Sequence, residues 1–435
     1  MSTKYQPWAR WLYPGIHLKR WIAIILLGVG IIAAGLASAL RYVYVLSEYP
    51  RWMYYLFLVF IPRPFRELMV FAIGLTLLVV GIVRLNRTLL APFLRPGENL
   101  GHVIEVLYRQ QRQERGPRIL TIGGGHGLST LLRGLKEHTG NITAVVTVAD
   151  DGGSSGRPRR ELGILPPGDF RNCMAALSDA EDLMTRLLQY RFSGQGGLAG
   201  HSFGNLFIAA MAGVTGSFEK GLEESSRVLA VRGRVLPATL QEVTLCAEIA
   251  RFENGELVGW EHVRGESRIP KAGGRIMRVY LEPEVTRAYP EVIRAILEAD
   301  LILAGPGSLY TSVLPNLLVR EIVEALRATS APKVYIANVA TQRGETDGYT
   351  VGDHVRALHE HMGLELFRTV LYNTNHKPTL PDGISWVVPG PDDAEWLDLI
   401  GADVVDERVP WRHDPSKLAA AVMHLLQGET VSVPM

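Results

Sequence analysis

Leu120-Thr121-Ile122-Gly123-Gly124-Gly125-His126-Gly127-Leu128 runs from an apolar strand into four glycines within five residues. The pattern predicts a strand over Arg118–Ile122 and a helix from about Ser129 to His138. A helix N-terminus gathers unpaired backbone N–H groups and the positive end of the helix dipole. Glycines let a phosphate or diphosphate approach those groups closely. The spacing departs from the dinucleotide fingerprint G-x-G-x-x-G, because Leu128 stands where the third glycine belongs. Alone, the stretch is equally compatible with an ordinary glycine-rich turn.

The pattern recurs along the chain. Ile142–Val148 (ITAVVTV) runs into Asp150-Asp151-Gly152-Gly153-Ser154-Ser155-Gly156, and Asp300–Ala304 (DLILA) into Gly305-Pro306-Gly307-Ser308 before an apolar helical stretch to about Ala328. Lys333–Ala337 (KVYIA) ends in Asn338, and Thr369–Tyr372 (TVLY) ends in Asn373. Apolar strands alternating with helical segments imply an α/β fold, with a parallel sheet and helices on both faces. In such sheets the ligand lies outside the carboxyl ends of the strands, which is where these Gly, Asp, Asn and Ser residues fall. Between about Pro237 and Pro283 the character changes. Val243–Phe252, Glu256–Val263 and Ile276–Leu281 carry β-branched residues, and Asn254-Gly255 is a hairpin signal. This predicts a β-rich insertion.

Composition divides the 435 residues sharply. Trp21–Leu40 is twenty residues without a charge, enough at ~1.5 Å per residue to cross a ~30 Å hydrocarbon core. Leu68–Val83 is a second uncharged run. Between them, the apolar and aromatic segment 52–61 is too short to span and suits the interface. Eleven basic residues flank the pair outside, four of them before it and seven between Arg84 and Arg118, against four in the connecting loop. The positive-inside rule then places both termini in the cytoplasm. The expected organisation is a two-helix transmembrane hairpin over 1–90, a linker helix over 91–117, and a Rossmann-like domain over 118–430. That makes a multi-pass membrane protein whose main domain is cytoplasmic.

Two cysteines, Cys173 and Cys246, form no C-x-x-C, so neither a disulfide framework nor a zinc site is indicated. A net charge of +1 argues against a nucleic-acid partner. There is no G-x-x-x-x-G-K-[ST], which excludes a P-loop NTPase. Gly152–Gly156 and Gly200–Gly204 both match G-x-S-x-G, yet neither has a strand before the serine and a helix after it, as a nucleophile elbow requires. The second match reads instead as a helix N-terminus presenting His201 and Asn205 to a ligand. His354, His359 and His361 do not share one helix face and are expected in solvent. The richest chemistry lies in 150–171. Asp150, Asp151 and Asp169 offer oxygen donors for Mg²⁺ beside phosphate oxygens, while Arg157, Arg159, Arg160 and Arg171 offer phosphate neutralisation.

Together, GGGHGLSTLLRGL (123–135), ADDGGSSGRPRRELGILPPGDFRN (149–172), GHSFGNL (200–206), GPGSLYTSVLPNLLV (305–319) and GETDGY (344–349) resemble the YvcK-type gluconeogenesis factors, within the superfamily of the 2-phospho-L-lactate transferase of deazaflavin coenzyme synthesis. The resemblance covers about Arg118 to Gln427. It implies a Rossmann-like domain binding a nucleotide or UDP-sugar, notably UDP-N-acetylglucosamine, in support of cell shape and envelope-precursor supply on gluconeogenic carbon sources. By motif, Gly123, Gly124, Gly125, His126 and Gly127 would hold the diphosphate. Asp150, Asp151 and Asp169 match the metal positions of the transferases. Gly305, Gly307, Ser308, Asn338 and Asn373 would line the nucleotide crevice, with Gly152, Gly153, Ser154, Arg171, Asn172, His201 and Asn205 beside them. Two features depart from the family pattern: the N-terminal hairpin, and PPGDFRN in place of the transferases' acid-rich stretch. The leading expectation is a UDP-sugar-binding regulator without turnover. The alternative is a Mg²⁺-dependent phospholactyl-type transferase using a GDP-linked donor, and an NAD-type oxidoreductase ranks behind both. Expected partners are a nucleotide-sugar, the membrane, a cytoplasmic enzyme of envelope-precursor synthesis and further copies of the chain.

Overall fold

Ile119–Gly123 (β1), Ile142–Val146 (β2) and Leu301–Ala304 (β7) are buried at every position. Runs of apolar residues with no polar alternation suit strands covered on both faces, and all three lie at the centre of one sheet. The computed structural model describes residues 115–427, except 153–155, 157, 158, 160–162, 180 and 195, with isolated positions between 29 and 113. Residues Met1–Tyr108 form one unit and Arg109–Met435 another. The transmembrane hairpin expected over 1–90, the 52–61 segment and most of the linker helix fall outside the described residues. Among the described residues no helix is long and apolar enough to cross a membrane.

The second unit carries a seven-stranded parallel sheet in the order β10-β9-β8-β7-β1-β2-β3. Its remaining strands are β3 (Arg234–Pro237), β8 (Lys333–Ile336), β9 (Thr369–Asn373) and β10 (Asp398–Ala402). The chain proceeds outward from β1 to β3, then returns to β7 and proceeds outward the other way. On one face pack α1 (Gly125–Leu135), α2 (Gly168–Leu177) and, at the end of the described chain, Pro415–Gln427. On the other lie Pro290–Glu298, Leu314–Leu317 and Arg320–Ala328. Ile122 sits in register with Val145 on one side and Ala304 on the other.

The five expected strands are present, each within two residues of its predicted ends. β3 and β10 are additions at the two sheet edges. β3 is four residues closing on a proline, and β10 (DLIGA) is half-exposed and holds a glycine, so neither shows the apolar run of a central strand. The first helix begins four residues earlier than expected, inside the glycines. The stretch after Ser308 breaks into a π turn over Leu309–Val313 and two short helices.

The insertion is an antiparallel sheet of β4 (Thr244–Glu253), β5 (Glu256–Arg264) and β6 (Arg275–Glu282), ordered β5-β4-β6. Asn254 and Gly255 take φ of 52° and 85°, which gives the hairpin its tight turn. His354 corrects the expectation of solvated histidines. On the helix Val351–Met362 it shares the core-facing stripe with Val351, Val355 and Leu358 and is fully buried, its Nδ1 2.8 Å from the Thr350 carbonyl oxygen. His361 is half-buried and its Nε2 accepts the Val279 N–H at 3.0 Å, fastening this helix to β6.

Candidate functional site at the sheet switch point

The strand order reverses between β1 and β7, so the loops leaving these strands diverge and open a crevice. Gly124 precedes the first turn of α1, and Gly125 adopts φ +62°, a conformation that favours glycine. A side chain at Gly127 would strike the Pro306 carbonyl, so the helix start and the Gly305–Ser308 turn approach backbone to backbone. Asn338 clamps that turn from the end of β8. Its Oδ1 accepts the Gly307 N–H at 3.1 Å and its Nδ2 donates to the Gly307 carbonyl at 2.9 Å. Ser308 donates through Oγ to Gln342 Oε1 at 2.7 Å.

The result is a cleft of about 530 Å³. Gly124, Gly125, His126, Gly127, Asp150, Asp169, Gly307, Ser308 and Asn338 line it, as the sequence led us to expect. Several predicted residues sit elsewhere. Gly123 ends β1, and Gly305 takes φ +81° behind the turn. Asp151 points to the insertion, where its Oδ1 accepts the Ser267 N–H at 2.9 Å; Gly152 packs beside Ser267. Arg171 is buried and donates through Nη1 to Ser202 Oγ at 2.8 Å and Asn205 Oδ1 at 3.1 Å, and through Nη2 to Asn172 Oδ1 at 3.0 Å. His201 and Asn205 are buried at the start of the helix Phe203–Thr215 and are not among the cleft residues. The expectation of a helix N-terminus there holds, with Ser202 accepting the Asn205 N–H at 3.3 Å. Asn373 is spent on the backbone of Asn375 and Val404. Arg159 binds the Val243 carbonyl and Glu242. Gly153, Ser154, Arg157 and Arg160 lie outside the described residues.

Residues unsigned in the sequence complete the cleft. Glu266 reaches it from the 3-10 turn after β5, Arg343 from the loop after β8, and Trp411, Arg412 and His413 from beyond β10. The Trp-Arg-His triplet was the one available signal, and it was masked because the strand before it was not recognised.

The cleft is polarised. One end gathers carboxylates, Asp150, Asp169 and Glu266, and Arg171 is the cation whose charge acts on Asp169 and Asp150. Desolvation, and then the charge of Asp150, raises Asp169 to about 6, against a hydrogen bond from the Gly125 N–H. Desolvation followed by Asp150, Asp169, Asp151 and Glu345 raises Glu266 to about 8. Beneath the Gly307 turn, burial raises Glu345 to about 7 although Thr311 Oγ1 and the Tyr310 N–H donate to it. The other end is basic, with Arg343 and Arg412. His126 is pushed down by desolvation and then by Arg412, Arg171 and Arg133, so it stays neutral at pH 7. Buried His413 falls to about 4. Among the described residues no three His, Cys, Asp or Glu side chains converge to hold a metal ion. The trio Asp150, Asp151 and Asp169 therefore does not assemble, because Asp151 is committed to the insertion.

The comparisons with known proteins fit this architecture. The sequence profile of the 2-phospho-L-lactate transferase CofD family matches residues 119–382. The gluconeogenesis factor of Bacillus subtilis is 50% identical over 72% of this chain and 98% of its own. A Nostoc protein assigned provisionally to the same factor is 45% identical over 98% of this chain and 94% of its own. The Nostoc relative thus aligns along nearly the whole chain, whereas the Bacillus subtilis protein aligns with 72% of it. The crystal structure of a UPF0052-family protein from Bacillus halodurans superposes with a TM-score of 0.64 at 46% identity, covering 71% of this chain and 99% of that one.

Proposed function

Because the chain belongs to the gluconeogenesis-factor family, with a domain of the CofD type, we propose that its switch-point cleft binds a nucleotide-sugar, in the first instance UDP-N-acetylglucosamine. On this reading the domain regulates envelope-precursor supply and cell shape during gluconeogenic growth, through a cytoplasmic enzyme of that synthesis, without turning its ligand over. The observation that carries the reading is the opposition of the α1 N-terminus to the Gly305–Ser308 turn across a cleft of about 530 Å³, inside the ~300–1,000 Å³ typical of small-molecule sites. Helix geometry leaves the His126 and Gly127 N–H groups without intrahelical partners, the environment a diphosphate needs. Arg343 and Arg412 supply the balancing charge, and Trp411, 46% exposed, offers a flat ring for a base or sugar face.

The carboxylate end favours a second reading, the Mg²⁺-dependent phospholactyl-type transfer from a GDP-linked donor. Asp150 and Asp169 are hard oxygen donors whose mutual repulsion a cation would relieve. They fit a Mg²⁺ ion whose remaining ligands come from phosphate and water. Calorimetric titration with UDP-N-acetylglucosamine, GDP and NAD, each with and without Mg²⁺, tests both readings. The regulator reading expects preferential binding of the UDP-sugar with no product on prolonged incubation. Preferential GDP binding with turnover of a GDP-linked donor would replace it.

A further inference from the structure

Among the ties between the insertion and the α/β core, one is made by a histidine. β6 is an edge strand of its sheet, and an edge strand presents N–H groups that the sheet itself leaves unpaired. The Val279 N–H is one of them. It donates at 3.0 Å to Nε2 of His361, in the last turn of the helix Val351–Met362. Nδ1 of the same ring lies 2.7 Å from the Ala357 carbonyl oxygen. A carbonyl oxygen only accepts, so Nδ1 carries the ring's one proton and Nε2 keeps the lone pair that the Val279 N–H needs. Both nitrogens are committed, and the tie exists only while the ring is neutral.

We propose that His361 is a releasable catch on the insertion: neutral, it holds β6 against the helix, and a proton on Nε2 sets N–H against N–H, frees the strand and widens the groove of about 730 Å³ beside them. Titratable groups meet the ring from every side. Glu360 precedes it on the helix, Arg278 and Tyr280 flank Val279 on β6, and the Tyr310 ring of the π turn meets it edge to face at 5.8 Å. Glu284 and Arg287 from the loop after β6, and Arg320 and Glu321 from the helix Arg320–Ala328, line the same groove. Desolvation carries the imidazole below its ordinary 6.5. Arg278 adds to that shift, while the Ala357 carbonyl and Glu360 oppose it. The catch is therefore shut at pH 7. A group lowered by folding stabilises the fold above its ordinary value and ceases to do so as pH falls through the folded one, so release comes in acid. Its effect adjoins the cleft. Tyr310 gives its N–H to Glu345 beneath the Gly307 turn, and the insertion carries Glu266 into the cleft wall.

The test is hydrogen exchange of the full-length protein, with each rate taken relative to the intrinsic rate at the same pH. The segment 276–282 should exchange at least ~10-fold faster at pH 5 than at pH 7.5, while β1 keeps its protection. His361→Gln retains an acceptor that takes no proton and should hold the segment closed at both pH values. His361→Lys offers donors alone and should leave it open at both. Two charge changes should move the wild-type midpoint in opposite directions, Arg278→Gln to higher pH and Glu360→Gln to lower. Equal protection of the wild-type segment at pH 5 and pH 7.5 overturns the proposal. So does a His361→Lys protein as well protected at pH 7.5 as the wild type, or a midpoint that neither charge change moves.

Discussion

Replacing Gly125 by valine separates the two roles of the glycine loop. Its φ of +62° lies where L-residues rarely go, and a left-handed conformation costs about 1–2 kcal/mol, more for a β-branched side chain. The surrounding protein leaves room, because the nearest atom to an added Cβ is Ser312 Oγ at 3.7 Å. The variant should therefore fold, with a melting temperature lower by roughly 2–8 °C at ~2–4 °C per kcal/mol. The new methyl groups project into the space where a diphosphate must meet the backbone N–H groups, so UDP-N-acetylglucosamine affinity should fall at least ~100-fold, or ~2.7 kcal/mol. Gly125→Ala should fall between the two. Gly127→Ala is the contrasting case: its Cβ meets the Pro306 carbonyl, so the loss there is of fold stability before affinity. Calorimetry of binding, paired with melting of the ligand-free protein, reads both quantities. A folded Gly125→Val protein that binds the UDP-sugar within about twofold of wild type would refute the placement of the phosphate.

Glu266 rises from an ordinary 4.5 to about 8, so its contribution to stability is present in acid and is lost as pH climbs through about 8. Ligand-free Glu266→Gln should accordingly melt higher than wild type at pH 8 and close to it at pH 4; identical profiles would mean the carboxylates are not crowded in solution. Asp150→Asn and Asp169→Asn should weaken Mg²⁺-dependent binding more than metal-free binding, and equal losses would assign these carboxylates to sugar or base instead. The charge asymmetry around the two apolar N-terminal runs expects a reporter fused after Arg95 to be cytoplasmic. An exported reporter would reverse the topology and remove the cytoplasmic ligand from reach.

The central strands were legible because burial on both faces leaves unbroken apolar runs such as ILTIG and LILA, and no packing detail is needed to read them. The insertion was legible through Asn254-Gly255, a turn whose backbone demand is local. Residues at the strand ends were legible as a class but not one by one. Asp150 and Asp151 are neighbours with the same side chain, yet one lines the cleft and the other accepts the Ser267 N–H from a segment more than a hundred residues away. Arg171 looked like a phosphate ligand because its burial and its partners Ser202 and Asn205 are tertiary facts. Glu266 was invisible for the complementary reason: nothing near it in sequence says that the insertion folds back over the switch point.

The cleft's wall is divided along the chain in a way that bears on how one scaffold can serve different ligands. The stretch matched by the CofD family profile, 119–382, contains both glycine turns, Asp150, Asp169, Glu266 and Arg343. Ile384 and the Trp411-Arg412-His413 triplet lie beyond its end. That triplet follows the outermost strand, and Trp411 and Arg412 are exposed. Substitutions at Trp411 or Arg412 leave the sheet core and the two glycine turns untouched, whereas His413 is buried with its Nε2 3.2 Å from the Ala337 carbonyl oxygen. On the proposed reading, chains sharing the matched stretch share the turns that would face a phosphate, while the far wall is free to be recut for a different ring.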